Sequence, residues 1–229
     1  YFRNKFEGDL QGFEGEAGVG VISDTEAQPL VIFSHLGRFA LTTVCKINNI
    51  DEIADHFLRE GKTFTETSQG GINPTELIAM LICEKKSFLE GIENVYNTIK
   101  GSCSLLILNR DEIIAGRDKL GRSPIVIGKK EGAYCLTSET SSILNLGYRV
   151  DKYLGPGEIV SVRHDGYSVM RKPNDKMQIC SFLWVYYGYP PSSYEDINVD
   201  QTRYNCGKKL AQNDDIDDID FVAGIPDSG

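Results

Sequence analysis

Three helical patterns follow one another between residues 50 and 99, and β-rich runs lie on both sides of them. That order constrains the chain most. Strands, then helices, then strands again is the layout of a layered α+β domain with two sheets. Ile50, Ile53, Ala54, Phe57 and Leu58 recur at near 3.6-residue spacing and predict a helix over residues 50–59. The next helix opens at Asn73-Pro74-Thr75-Glu76 and runs to Lys85. Asn73 is its N-cap, Pro74 takes the first helical position and Glu76 stands three residues after the cap. A third helix spans residues 88–99 and stops before Gly101. Upstream, residues 18–22, 30–34 and 39–44 read as strands. Downstream, residues 104–108, 112–117, 125–128, 133–138 and 158–162 are short β-rich runs. Asn109-Arg110-Asp111, Gly121, Gly132, Gly155-Pro156-Gly157 and Asp165-Gly166 punctuate them. Residues 118–124 read as a hairpin turn with Gly121 in the left-handed region; the competing reading makes Lys119 or Arg122 a phosphate contact.

The register changes near residues 170–180, which predicts a domain over 1–172 and the start of a second over 173–229. Residues 179–187 are apolar and aromatic. Trp184, Tyr186 and Tyr187 there point to core or interface rather than to a base-stacking platform. Residues 199–210 form a helical pattern, and an acidic spacer runs from Asn213 to Asp220. Phe221-Val222-Ala223-Gly224-Ile225 then reads as a buried strand entering a loop, Pro226-Asp227-Ser228-Gly229. A strand running into a tight loop of small and polar residues is how an α/β nucleotide-type domain begins. The loop is either an anion site built from backbone N–H groups or a plain β-turn.

The chain has 229 residues, a net charge of −9 and 41% hydrophobic residues, enough for a substantial core. The acidic balance argues against unspecific binding to nucleic acid or anionic membrane. No apolar run approaches the roughly 20 residues needed to span a bilayer, and no signal peptide is evident. A cytoplasmic protein is expected, and the ends at Tyr1 and Gly229 read as those of a fragment truncated on both sides. The six cysteines form no CxxC pair and are expected to be reduced thiols. His35, His56 and His164 are scattered without metal-like spacing.

One stretch has the shape of a reaction site. Phe39 to Val44 is a strand, Lys46 to Asn49 a polar turn, and Asp51-Glu52 opens the helix that follows. A strand, turn and helix in this order can seat an oxyanion or a substrate carbonyl.

Longer strings go further. Gly116-Arg117-Asp118-Lys119-Leu120-Gly121-Arg122-Ser123-Pro124-Ile125-Val126-Ile127-Gly128 resembles the ARDPxGxRPLxIG stretch of class II glutamine amidotransferases. Thr137-Ser138-Glu139-Thr140 and Gly155-Pro156-Gly157-Glu158-Ile159-Val160 resemble that family's SET and EPGEI segments, in the same order. Cys180, Trp184-Val185-Tyr186-Tyr187, Pro190, Ser192 and Arg203 resemble the domain junction of the amidophosphoribosyltransferase family, and residues 220–229 its DVVxxVPDSG strand and loop. The resemblance covers nearly the whole chain. It implies a four-layer αββα Ntn-hydrolase-like sandwich followed by the beginning of an α/β phosphoribosyltransferase domain. It also implies the family's chemistry. An N-terminal thiol, with its own α-amino group as base, releases ammonia from glutamine. Mg²⁺-bound phosphoribosyl pyrophosphate then takes up that ammonia to give 5-phosphoribosylamine for purine biosynthesis. Purine nucleotides as regulators and a homo-oligomer are implied too.

Position by position, the two halves differ. The nucleophilic Cys falls upstream of Tyr1. The family's carboxylate-binding Arg lands on Val21. Its oxyanion HNGN lands on Thr43-Val44-Cys45-Lys46, so Val44 and Cys45 replace the Asn and Gly. The substrate-amine Asp lands on Pro74. The resemblance therefore implies a glutaminase fold with little or no glutamine hydrolysis, and Cys45 is assigned to packing. Asp227, Ser228 and Gly229 match the transferase loop, with Ser228 contacting the Mg²⁺–substrate complex. Cys180 matches a junction Cys that ligates a [4Fe–4S] cluster in one subgroup; the subgroup without a cluster also carries Cys there. The other three cluster ligands and the acidic pair of the ribose-phosphate loop fall beyond Gly229. Two alternatives stay open: a non-catalytic regulator that binds nucleotide or phosphoribosyl pyrophosphate, and an active glutamine-dependent enzyme with a rebuilt site.

Overall fold

In a computed structural model, which describes residues 14–23, 26–215 and 218–224 together with Gly8 and Gly12, the sheet begins with a hairpin. Strand β1 (Leu30–Ser34) pairs antiparallel with β2 (Gly37–Ile47), Leu30 opposite Leu41 and Ser34 opposite Gly37. The expected strand over 18–22 is not formed. Those residues are irregular and Ile22 is fully exposed. Gly18 and Gly20 raise the entropy cost of extension.

The chain divides into two units, one ending at Cys180 and one beginning at Ser181. In the first, helices α1 (Ile50–Arg59), α2 (Pro74–Cys83) and α3 (Phe88–Thr98) follow β2, with a small ribbon of β3 (Thr67–Ser68) and β4 (Gly71–Ile72) between α1 and α2. Then come β5 (Gly101–Leu108), β6 (Ile113–Gly116), β7 (Val126–Lys130), β8 (Ala133–Thr137), a short helix α4 (Thr140–Asn145), β9 (Arg149–Tyr153), β10 (Ile159–Arg163) and β11 (Gly166–Arg171). Six strands form one sheet in the order β1-β2-β5-β6-β10-β11, and three form a second, β8-β7-β9.

Alternation along the strands sorts the side chains into two cores. Phe39, Leu41, Leu105, Ile107, Ile114 and Ile159 face the helices and pack on Ile53, Phe57, Leu77, Ile78, Ile82, Ile92 and Val95. Their strand neighbours Leu106, Ala115, Val160 and Val162 face the other way and pack on Ile125, Ile127, Leu136 and Leu154. On the far side of the small sheet, Ile143 of α4 lies against Gly128. Helix, sheet, sheet and helix thus stack as the four layers expected.

The cap chemistry of α2 is as the sequence indicates. Asn73 is fully buried, and its Oδ1 accepts from Thr75 N at 2.8 Å and Glu76 N at 3.3 Å. Glu76 does not turn back to the cap. Its carboxylate instead accepts from Thr65 N, Thr65 Oγ1 and Glu66 N, tying down the segment before β3. Where α3 crosses α2, Gly91 permits the approach: a Cβ there would meet Ile82 O at 2.7 Å and Ile82 Cγ2 at 2.8 Å. Alanine would gain about 1 kcal/mol of helix propensity but force the helices apart at a cost of about 1–3 kcal/mol. Gly91→Ala is therefore expected to lower stability by about 1 kcal/mol in urea unfolding, whereas propensity alone predicts a gain.

Residues 118–124 are a crossover rather than a hairpin, because β6 and β7 belong to different sheets. Gly121 has φ +72°, as expected of the turn. Its neighbours do structural work: Lys119 Nζ donates to Tyr96 O at 3.3 Å and an Arg122 guanidinium nitrogen to Gly101 O at 2.7 Å.

The second unit has a wide π-helical turn (Leu183–Tyr187), a ribbon of β12 (Ser193–Tyr194) and β13 (Ile197–Asn198), and helix α5 (Val199–Ala211). Trp184 is its core: buried, edge-on to Tyr194 with ring centres 5.7 Å apart, its Nε1 donating to Ile197 O at 2.9 Å. Arg203 holds the turn by donating to the carbonyls of Trp184, Tyr186 and Gly188. Residues 221–224 form no strand, and Phe221 and Val222 are 84% and 86% exposed. A buried strand needs neighbours for its N–H and C=O groups, and none lies beside this segment among the described residues. Ile225 and the loop Asp227-Ser228-Gly229 lie outside the described residues.

Candidate functional site

The strand–turn–helix stretch sits at an open edge of the large sheet. β1 ends at Leu30 opposite Leu41, so the next N–H of β2 on that side, Thr43, needs another acceptor. Gln28 Oε1 supplies it at 2.8 Å. Gln28 Nε2 donates to Glu26 Oε2 at 2.9 Å, and Thr75 Oγ1 donates to the same carboxylate oxygen at 3.4 Å. Thr75 and Thr43 share a hydrogen bond of 2.7 Å between their hydroxyls, and Thr43 Oγ1 lies 3.5 Å from Cys45 Sγ. A continuous polar chain therefore runs from Glu26 through Thr75 and Thr43 to Cys45, joining β2 to the start of α2.

That contact lies beside two of the four sequence-predicted amidotransferase positions, Cys45 on β2 and Pro74 on α2. Val44 lies on β2 with its side chain 57% exposed on the opposite face, and Cys45 follows it, partly buried. Pro74 occupies the first position of α2, one residue from Thr75. Val21 is partly buried in the irregular segment before β1, and Cys180 is exposed. A valine side chain has no donor, and proline has neither carboxylate nor N–H. Cys45 is a milder change than its side chain suggests, because a glycine donates only through its backbone and Cys45 keeps that N–H. Ladder alternation points it toward the same open edge as that of Thr43. Glu26, Gln28, Thr43 and Thr75 were not singled out in the sequence. The one local signal was a Thr42-Thr43 pair within an otherwise apolar strand.

Cys45 stands opposite Cys103 of β5 in register, so the two thiols face each other across the ladder. The neighbouring Cys103 thiol pulls the Cys45 pKa below the usual thiol value. Burial opposes this, and Thr43 adds to the lowering. Cys45 in turn, with complete burial and the nearby Asp118 charge, pushes Cys103 well up.

The strings that carry the family resemblance converge elsewhere, on a buried polar knot where the sheets meet. β6 leaves the ladder after Gly116, and the Asp118 carboxylate takes the vacated place, accepting from Cys103 N at 3.2 Å, Leu120 N at 3.1 Å and Arg122 N at 3.0 Å. Fully buried Arg117 donates to the carbonyls of Leu154 and Gly121, and Tyr96 OH donates to Arg117 O at 2.7 Å. Glu158 accepts from Lys152 Nζ at 2.6 Å and Gly155 N at 2.8 Å.

A model of the glutamine amidotransferase domain matches residues 17–145, more than half of the chain. The chain belongs to the glutamine amidotransferase family. The match spans Val21, Val44, Cys45 and Pro74, and the four-layer sandwich is the fold of this amidotransferase domain. Over a longer span the chain is similar to whole enzymes. It is 30% identical to the amidophosphoribosyltransferase of Bacillus subtilis, over 96% of this chain and 48% of that protein. It is 28% identical to that of Homo sapiens, over 88% of this chain and 43% of that protein. The solved structure of B. subtilis glutamine phosphoribosylpyrophosphate amidotransferase complexed with ADP and GMP superposes with a TM-score of 0.79 at 29% identity, covering 89% of this chain and 44% of that one. The chain thus spans about half the length of the curated relatives it matches.

Among the described residues one side-chain group has metal-ligand spacing, His56, Glu60 and Glu84. All three are exposed, and Lys62 Nζ stands 3.0 Å from Glu60 and 3.6 Å from Glu84, so a lysine already neutralises the carboxylates. No helix in the described residues is long and apolar enough to cross a membrane.

Proposed function

We propose that this chain belongs to an amidophosphoribosyltransferase of purine biosynthesis whose amidotransferase domain no longer hydrolyses glutamine, so that the transferase forms 5-phosphoribosylamine from free ammonia or from ammonia delivered by a partner. One observation carries the reading. At the joined ends of β2 and α2, Val44 and Pro74 stand where the family's resemblance requires an amide donor and a carboxylate, and the surrounding polar groups bond to one another. The Thr43 N–H is taken by Gln28, and the first-turn N–H groups of α2 by Asn73. An amide substrate would find an apolar side chain where a developing oxyanion needs a donor.

The transferase loop Asp227-Ser228-Gly229 would hold phosphoribosyl pyrophosphate with Mg²⁺, which neutralises charge on a departing pyrophosphate when bound. Cys180 is exposed and belongs to no group of three ligand side chains among the described residues. Cys180 would supply one of the four thiolates that a [4Fe–4S] cluster needs. A cytoplasmic homo-oligomer regulated by purine nucleotides fits this reading. The ADP and GMP of the B. subtilis structure support a second one, a regulator that binds nucleotide without catalysis.

Pyrophosphate release from phosphoribosyl pyrophosphate by the full-length protein separates the readings. Release with ammonium and none above blank with glutamine is the expected result. Equal or better release with glutamine means a rebuilt glutaminase site, and none with either nitrogen source means the regulator.

A further inference from the structure

Cys45 and Cys103 occupy a special place in the ladder between β2 and β5. Asn48 N bonds to Lys100 O, which makes Ile47 opposite Gly101 a non-hydrogen-bonded pair. Alternation by two makes Cys45 opposite Cys103 another. Independent support comes from Cys103 N, which points away from β2 to the Asp118 carboxylate. In such pairs the facing residues approach most closely, with Cα atoms about 4.5 Å apart, inside the range that a disulfide spans. Both side chains point to the helix-covered face, among Leu41, Thr43, Leu105 and Ile107. The two thiols differ in access and in chemistry. Cys103 is fully buried, while Cys45 is partly exposed beside the open edge of β2. Cys45 alone also touches the chain of hydroxyls that ends on Glu26.

We propose that Cys45 and Cys103 form a redox-active dithiol that a small-molecule disulfide converts to a cross-strand disulfide, Cys45 attacking and Cys103 resolving. The Cys45 thiolate attacks one sulfur of the small disulfide, whose S–S bond breaks and releases one thiolate. Cys103 gives up its proton and attacks the Cys45 sulfur of the mixed disulfide, releasing the second half. Two protein thiols lose two electrons and two protons, and one disulfide becomes two thiols. The Cys45 pKa is lowered by its neighbours Cys103 and Thr43, and that of Cys103 is pushed well up by Cys45 and by complete burial, which suits the two residues to these separate roles. Thiol–disulfide exchange runs in both directions, so an excess of small-molecule thiol reverses the change.

Native protein equilibrated with oxidised and reduced glutathione, acid-quenched, alkylated and digested, tests this by mass mapping of all six cysteines. The expected product is a Cys45–Cys103 cross-linked peptide that disappears with excess reduced glutathione. Cys103→Ala should instead accumulate glutathione on Cys45, and Cys45→Ala should leave Cys103 unmodified, with Cys45 reacting at least ~10-fold faster than Cys103. The proposal is overturned if wild-type protein carries a lasting glutathione adduct on Cys45 with no cross-link. It is also overturned if Cys45 and Cys103 both stay free while the exposed Cys180 and Cys206 react. The wild-type arm decides even where a variant fails to fold.

Discussion

Asp118→Ala is expected to lower stability by about 3–5 kcal/mol, among the largest effects of any single substitution in the sandwich. Its two oxygens accept three backbone N–H groups, and the residue is 2% exposed. A buried donor left without an acceptor costs about 1–3 kcal/mol. Leu120 and Arg122 lie in a loop that can turn toward water, but Cys103 N is fully buried on the β6 side of β5. Typical domains are stable by about 5–15 kcal/mol, so the variant should stand near the unfolding limit. Asp118→Asn keeps one acceptor for Cys103 N and turns an amide group toward Leu120 and Arg122, which should cost about 2 kcal/mol. Urea midpoints of the three proteins check the order. Equal midpoints would mean that the crossover between the sheets is held by apolar packing alone.

Local chemistry made part of this fold legible. The start of α2 could be read because Asn73 and Pro74 act within one turn. The buried central strands could be read because their apolar runs need no partner to be noticed. The polar edge strands were harder, although the edge strands β1 and β8 were read. β9, with Arg149-Val150-Asp151-Lys152-Tyr153, and β11, from Gly166 to Arg171, each border only one neighbour and carry polar faces. Residues 18–22 and 221–224 failed in the opposite way: their apolar content suggested strands, but neither segment is paired to another strand. The family strings pointed to the right family for a reason the sequence did not disclose. Arg117, Asp118 and Glu158 look like surface charges in a list and are buried in the structure. They hold the two sheets together, so the resemblance there reports scaffold. At the strand–turn–helix stretch the family resemblance points to Val44, Cys45 and Pro74 as replacements. It did not show that Glu26, Gln28, Thr43 and Thr75 close the gap among themselves, because residues 15 to 49 positions apart in sequence meet only after β2 and α2 have packed.

The second large effect concerns glutamine. Loss of a single oxyanion donor costs about 3 kcal/mol, roughly two to three decades in rate. Val44 removes such a side-chain donor, while the backbone N–H of Cys45 remains. On the proposed alignment Val21 and Pro74 stand in place of a cation for the substrate carboxylate and an anion for its ammonium, so binding is expected to weaken along with turnover. These losses are not additive, and the first alone places hydrolysis far below the rate of a working glutaminase. Glutamate formed from glutamine by the full-length protein, with phosphoribosyl pyrophosphate present and absent, measures this most directly. The account predicts glutamate at the level of the enzyme-free blank in both conditions, while ammonium still supports pyrophosphate release. Glutamate produced in step with pyrophosphate would contradict it, and would mean that the groups around Val44 and Pro74 bind the amide in a way the family pattern does not describe.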